Sequence, residues 1–248
     1  MLHLIGGGLL GLLSASLAAS FGWRAADRLP GESRWPECVF CLRPYRWFEI
    51  FPLLGWLSRR KASLLPCPCG KRKKLWAQPA TELAGFGLGF AAMIFVGGGW
   101  GSIPLCLGLG ILPALALIDL HFGIIPDELN FVLAICGFSW AWLSGADIWL
   151  CLITAALLLI LGLFFALVYS RWRGKEMLGL GDVKFFTAAG LWLPPHLAPW
   201  FLAGAGIIGI IFSFIWRRIS EDREFPFAPA LCFSLVLCVF YQLIIIMP

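Results

Sequence analysis

The sequence predicts an all-α polytopic membrane protein of about eight transmembrane helices. Three observations support this fold class: the composition is strongly apolar, the apolar residues fall in long runs, and the basic residues cluster between particular runs. Of 248 residues, 60% are hydrophobic and 13% are charged, and the mean hydropathy is +0.87. Soluble domains carry roughly half apolar and a quarter charged residues. We therefore expect a membrane chain with at most one modest extramembrane domain.

Eight apolar runs are the candidate transmembrane helices. They cover residues 4–22, 79–97, 102–118, 129–144, 148–169, 184–193, 199–216 and 227–247. The sixth run is too short to cross a bilayer alone and stops at Pro194-Pro195, so this segment is expected to be broken or tilted. The first run lacks the preceding positive region of a cleavable signal, so it is expected to stay in the mature protein.

This pattern divides the chain into three parts. We expect a first transmembrane helix at 1–22, a cytoplasmic Cys-rich module at 23–78, and a seven-helix membrane domain at 79–248. Twelve of the 19 Lys and Arg lie between the first two runs, and basic loops stay in the cytoplasm. If eight helices cross the membrane in turn from that loop, the other seven basic residues lie on the same side, and the N-terminus lies outside. Reporter fusions near residues 122 and 176 would then both report the cytoplasm.

The nine cysteines divide by location. Five stand singly within apolar runs, where a thiol packs as a small hydrophobic group: Cys106, Cys136, Cys151, Cys232 and Cys238. The other four lie in the cytoplasmic loop as a C-x-x-C and a C-x-C pair: Cys38, Cys41, Cys67 and Cys69. In a reducing compartment two thiol pairs favour a tetrahedral zinc site over disulfides, with four free thiols as the alternative.

Acidic residues at the ends of membrane helices are functional candidates, because charge within a bilayer is costly. Asp119 ends the third run, and Asp182 begins the sixth in the motif G-L-G-D-V-K. The predicted topology places both at the same interface. Two close carboxyls cannot both ionise easily, so one keeps a proton while the other acts as base, as in aspartic proteases. For each acid taken alone, an ordinary helix-end residue is the better interpretation.

Asp127 is the other possible partner of Asp182. Asp119 is preferred because it directly follows an apolar run, whereas Asp127 follows a proline and occupies a solvated helix-start position. The glycines before Asp182 fit the site, because Gly permits a positive φ and the close approach of a substrate strand. We expect four residues to support the pair: Gly179, Gly181, Lys184 and Asp127.

The ordered motifs resemble those of the type IV prepilin peptidases, bacterial members of the G-x-G-D membrane aspartyl proteases. They extend over nearly the whole chain: Arg28-Leu29-Pro30-Gly31, the cysteine loop, Thr81-Glu82, Asp119 with Ile125-Pro126-Asp127, Gly179-Leu180-Gly181-Asp182-Val183-Lys184, and Pro226-Phe227-Ala228-Pro229. Two features depart from the family pattern. The second cysteine pair is C-x-C, and Ala228 replaces the glycine usual in P-F-G-P.

The resemblance implies that Asp119 and Asp182 form the catalytic pair. It implies prepilin or pseudopilin substrates, cleaved at the cytoplasmic face of the bacterial inner membrane just after the glycine that precedes their hydrophobic segment. It also implies N-methylation of the new amino terminus with S-adenosylmethionine. The sequence shows no recognisable methyl-donor motif, so the residues that would bind this cofactor are unknown.

Two other classes of function remain open at this point. One is a transporter or channel that uses the paired aspartates as a proton or cation relay, although such acids are more typical of the bilayer midplane. The other is a non-catalytic membrane scaffold with a zinc-stabilised module. Nucleic acid is not an expected partner, because the basic residues border membrane helices and fit anionic lipid headgroups. The sequence leaves the oligomeric state and the exact substrate open.

Overall fold

A computed structural model describes residues 1–26, 77–173, 178–219 and 225–246. These residues form eight main helices and no strand, which confirms the all-α fold class. The helices are α1 (Leu2–Ala26), α2 (Ala77–Val96), α3 (Ser102–Phe122), α4 (Asp127–Leu143), α5 (Ile148–Leu163), α6 (Leu180–Gly190), α7 (Ala198–Ile219) and α8 (Ala228–Ile246). Each apolar run of the sequence corresponds to one helix. Nearly all of the predicted Cys-rich module lies outside the described residues.

Five segments of the described residues are long and apolar enough to cross a membrane. They are Leu2–Ala19, Ser102–Phe122, Ile148–Val168, Pro195–Arg218 and Ala228–Ile245. Large apolar side chains cover their outer faces, such as Ile160 on α5 and Phe214 on α7, which are 65% and 69% exposed. Such a surface is stable in contact with lipid and unstable in contact with water. The protein is therefore a polytopic membrane protein, and the predicted number of eight spans depends on the shorter helices α2, α4 and α6.

Helices α1, α2 and α3 pack closely against one another. Glycines make this approach possible: a Cβ added to Gly11 would clash with the backbone oxygen of Gly85 across the α1–α2 contact. Small residues at such contacts allow helix backbones to approach within a membrane. The three helices form one side of the core, and α3 extends from it to contact α4 and α8.

Helix α6 is too short to cross a bilayer. Its 11 residues span about 16 Å at the rise of an α-helix, against a hydrocarbon thickness of about 30 Å. A turn and a short 3₁₀ segment, Pro195–Leu197, connect it to α7. Trp192 in this turn is buried, and its indole Nε1–H donates to the Leu133 carbonyl of α4 at 3.1 Å. This agrees with the expected broken span, because irregular backbone at membrane depth must be satisfied by protein groups.

The ends of four helices meet on one side of the bundle. Helix α3 ends at Phe122, and Gly123 adopts the left-handed conformation (φ +64°) with its N–H bonded to the Asp119 carbonyl. Only three residues then separate Gly123 from the start of α4 at Asp127. Contacts between side chains and backbone, described below, join this corner to the starts of α6 and α8. The end of α3 and the start of α6 are thus on the same side of the bundle, whereas the loop near residue 176 lies outside the described residues.

Candidate active site

Asp119 is a buried acid in the last turn of α3, with only 6% of its surface exposed. Its Oδ2 accepts a hydrogen bond of 2.8 Å from the backbone N–H of Ala228. Ala228 is the first residue of α8, and the next N–H groups of that helix bond to the Phe227 carbonyl. The first N–H groups of a helix have no partner within the helix and carry partial positive charge. The start of α8 therefore satisfies and orients the Asp119 carboxyl.

This contact gives the P-F-A-P motif a structural role. Pro226 and Ala228 are buried, and the motif delivers a backbone amide to an acid that lies 109 residues earlier in the chain. The departure from the usual glycine is compatible with this role, because an alanine supplies the same N–H. The motif thus contributes its backbone to the site, and the residue type matters chiefly through the space it occupies.

Asp182 lies in the first turn of α6, three residues after the N-cap residue Gly179. Its backbone N–H donates to the Gly179 carbonyl at 3.1 Å, and its carboxyl accepts a hydrogen bond from the Gly179 backbone. This is the arrangement of an acid that reaches back to cap its own helix. An exposed capping acid would be fully ionised at neutral pH, so the environment of Asp182 decides whether capping is its whole role.

Burial is the main cause that raises the pKa of Asp182 to about 7, and the negative charge of Asp119 raises this pKa further. The hydrogen bond from the Gly179 backbone acts in the opposite direction. Asp119 therefore acts electrostatically on Asp182, although 63 residues separate them in the chain. A pair of this kind can hold one proton near neutral pH, which is what general acid–base attack by water requires.

Gly179 and Gly181 do not have the backbone conformation that favours glycine. Gly179 has φ −67°, and the positive-φ glycines of the described residues are Gly97, Gly123 and Gly145. A Cβ at Gly179 would lie 3.5 Å from Asp182 Oδ2, and one at Gly181 would lie 3.4 Å from the Ile125 side chain. Both are ordinary contacts. The remaining reason to expect glycine here is the space that a substrate backbone would need beside Asp182.

Lys184 and Asp127 form an ion pair of 2.6 Å between the N-terminal parts of α6 and α4. Both side chains are exposed, at 52% and 64%. A salt bridge between exposed groups contributes about 0–1 kcal/mol, so this pair aligns the two helix starts without dominating their stability. The structure therefore brings Asp127 to the edge of the site through Lys184, whereas Asp119 has the buried position.

Asn130 was not selected from the sequence, although it contacts the motif before Asp182. It is 4% exposed on α4, and its Nδ2 donates to the Gly181 carbonyl at 3.4 Å. Asn130 is one turn after Asp127 on the same helix. A polar residue at helical spacing from an acid of the motif was therefore the sequence feature that could have identified it. No sequence feature indicated that the backbone amide of Ala228 would contact Asp119.

The predicted metal site lies outside the described residues, which include none of the four loop cysteines. Within residues 1–26, 77–173, 178–219 and 225–246, no group of three or more His, Cys, Asp or Glu could hold a metal ion. The five single cysteines are buried, as expected for packing residues. Zinc therefore remains a prediction for the loop.

Comparison with known proteins connects this geometry to a family. The model of the type IV leader peptidase family matches residues 106–214, a range that includes both Asp119 and Asp182. No solved structure matches significantly.

Curated relatives match over most of the chain. A prepilin leader peptidase/N-methyltransferase of Dickeya chrysanthemi is 31% identical over 210 residues, which cover 81% of this chain and 71% of the relative. The protein of the same name from Aeromonas hydrophila is 28% identical over 204 residues, covering 79% and 68%. A type 4 prepilin-like proteins leader peptide-processing enzyme of Escherichia coli is 27% identical, covering 83% and 75%. The resemblance predicted from the motifs is confirmed: this chain belongs to the type IV leader peptidase family.

Proposed function

We propose that this chain removes the leader peptides of type IV prepilins or pseudopilins at the cytoplasmic face of the inner membrane, with Asp119 and Asp182 as the catalytic pair. Family membership makes it an aspartic peptidase. The observation that supports the residue assignment is the convergence of two acids from distant parts of the chain, one buried and one with a raised pKa, at a single helix-end junction.

The chemistry follows from one proton shared by two carboxyls. The carboxylate takes a proton from water as that water attacks the scissile carbonyl, and the protonated partner donates to the carbonyl oxygen. The departing amine then receives a proton from the dyad. The Ala228 N–H orients the Asp119 carboxyl, and the start of α6 orients Asp182. These contacts reduce the reorganisation that the reaction would otherwise need.

The position of the acids favours a protease over a relay. Asp119 lies one turn from the end of α3, and Asp182 lies in the first turn of α6, next to the starts of α4 and α8. A peptide approaching from the loops could reach this junction. A proton or cation path would instead need acids distributed toward the middle of the bundle.

Cleavage by the purified protein tests this proposal. In detergent, the full chain is expected to shorten a prepilin whose leader ends in glycine, with a new amino terminus directly after that glycine, as read by mass spectrometry. A prepilin carrying a bulky residue in place of that glycine is the matched control and should stay intact. Proton or cation flux through liposomes without any shortened product would favour the relay and reject the protease.

N-methylation is proposed on the names of the relatives, which describe bifunctional leader peptidase/N-methyltransferases. Adding S-adenosylmethionine to the same assay should increase the mass of the new amino terminus by one methyl group. Product that is cleaved but never methylated would limit the chain to peptidase activity.

The proposed orientation, with the active site facing the cytoplasm, is based on the distribution of basic residues along the sequence.

We also propose that Cys38, Cys41, Cys67 and Cys69 hold a structural zinc. Four thiolates suit tetrahedral zinc, and metal binding of this kind is coupled to the folding of the segment that supplies the ligands. Metal analysis of freshly reduced protein is expected to find about one zinc per chain. Cys38→Ser together with Cys41→Ser should remove it, whereas Cys106→Ser, at a buried site in α3, should not. Metal-free protein with all four thiols titratable would reject the site.

A further inference from the structure

We infer that Asn130 is a positioning residue that holds the backbone carrying Asp182, an inference that rests on the proposed function. Asn130 lies on α4, with 4% of its surface exposed. Its Nδ2 donates to the Gly181 carbonyl at 3.4 Å, across 51 residues of sequence. Gly181 directly precedes Asp182, so the contact reaches the peptide unit that carries the acid.

The orientation of the Asn130 amide follows from its partner. A carbonyl oxygen can only accept, so the nitrogen of the amide must face Gly181. The Oδ1 atom is then buried without a hydrogen-bond partner. A buried acceptor left unsatisfied costs about 1–3 kcal/mol, and an apolar side chain of similar shape would avoid that cost. Packing alone therefore does not explain an amide at this position, whereas a requirement to hold Gly181 does.

The first turn of α6 has an apolar anchor in Val183, which is buried, but few other polar anchors. Gly179 and Gly181 have no side chains, and Leu180 is 59% exposed. The ion pair between Lys184 and Asp127 is exposed, so water and salt screen it. Among the described residues, Asn130 thus supplies the buried polar side chain that joins the start of α6 to α4.

The same contact links the two acids. Helix α4 follows α3 after a short connection that begins at Gly123, and Asp119 lies in the last turn of α3. Through Asn130, α4 also holds the residue before Asp182. Because Asn130 is itself buried, a change there would alter the separation of the carboxyls without removing an exposed side chain that a substrate could contact. This predicts an effect on kcat and not on KM.

Asn130→Leu is the first test variant, because leucine has a similar volume and neither donates nor accepts. With the full chain and a prepilin substrate, kcat is expected to fall about 10- to 100-fold, as for a small misplacement of catalytic groups. KM should stay within about 2-fold of the parent value, because ground-state binding is not changed. The thermal midpoint should be unchanged or higher, since the unsatisfied Oδ1 is removed. Asn130→Gln retains the amide donor and is expected to recover part of the lost kcat.

Trp192→Phe is the matched control, because Trp192 joins the same two helices through its Nε1–H bond to Leu133, at the other end of α6. It should lower the thermal midpoint and leave kcat per folded molecule within about 2-fold. If Asn130→Leu retains the parent kcat, or loses stability and activity together as Trp192→Phe does, the inference is overturned while the proposed function stands. If Asp182→Asn still cleaves, the catalytic pair itself is wrong, and the inference is overturned with it.

Discussion

Asp119→Asn and Asp182→Asn are each expected to abolish prepilin cleavage, with losses in kcat of at least about 10³-fold, because each removes one titrating member of a pair that acts as a unit. Both proteins should still reach the membrane at normal levels. An asparagine oxygen at position 119 can still accept from the Ala228 N–H, and one at 182 can still accept from the Gly179 backbone. Turnover per molecule of solubilised protein, measured on a purified prepilin, is the readout.

Two further Asp→Asn changes provide matched controls. Asp147 caps α5, where its Oδ1 accepts from the N–H groups of Trp149 and Leu150, and an amide oxygen can do the same. Asp147→Asn should therefore cleave at the parent rate. Asp127→Asn weakens the exposed pair with Lys184 and should retain measurable cleavage. Cleavage that survived in Asp119→Asn and vanished in Asp127→Asn would move the catalytic role to Asp127.

Ala228→Pro is expected to reduce cleavage about 100-fold or more, because misplacement of a catalytic group by about 1 Å has an effect of this size. Proline lacks the N–H that Asp119 Oδ2 accepts at 2.8 Å, and its ring carbon would occupy the position of that hydrogen. The carboxyl must then move. Position 228 is the first residue of α8, where proline is otherwise tolerated. The measurement is kcat for prepilin cleavage, with the amount of folded protein measured in parallel.

Ala228→Gly is the first control for this variant, because it keeps the N–H and removes only a methyl group. It should cleave at close to the parent rate. Ile148→Pro is the second, since Ile148 is the first residue of α5 and the Asp147 side chain bonds to the next two N–H groups instead. It should be active if proline at a helix start is harmless in itself. Parent-like activity in Ala228→Pro would show that the amide of α8 does not orient Asp119.

The helices of this protein follow from local patterns in the sequence. Each apolar run became a helix, because a chain in lipid must satisfy its own backbone groups and a helix does so within one segment. The interruption between Gly190 and Ala198 also follows locally, because Pro194 and Pro195 cannot continue a helix. The count of eight spans does not follow from hydropathy, since α6 has too few residues to cross and the turn after it is held by the bond from Trp192 to α4.

The candidate acids were available from the sequence because charge is rare in apolar runs, so Asp119 and Asp182 were conspicuous there. What the sequence could not supply was their environment. The contact from Asn130 crosses 51 residues, and the one from Ala228 crosses 109. A backbone N–H is present in every residue except proline, so no residue type indicates which one will face a carboxyl.

The sequence by itself therefore determined the membrane class, the order of the helices and the two candidate acids, because each depends on composition or on periodicity within a short segment. Only the tertiary structure decided that α3, α4, α6 and α8 meet at their ends, and that Asp119 has the buried position and Asp127 the exposed one. It also decided which groups contact the candidate acids, namely Asn130 through Gly181 and the Ala228 amide directly. These are properties of helix packing, in which the environment of each side chain is formed by residues far away in the chain. A pattern within a short segment cannot indicate which distant residues those are.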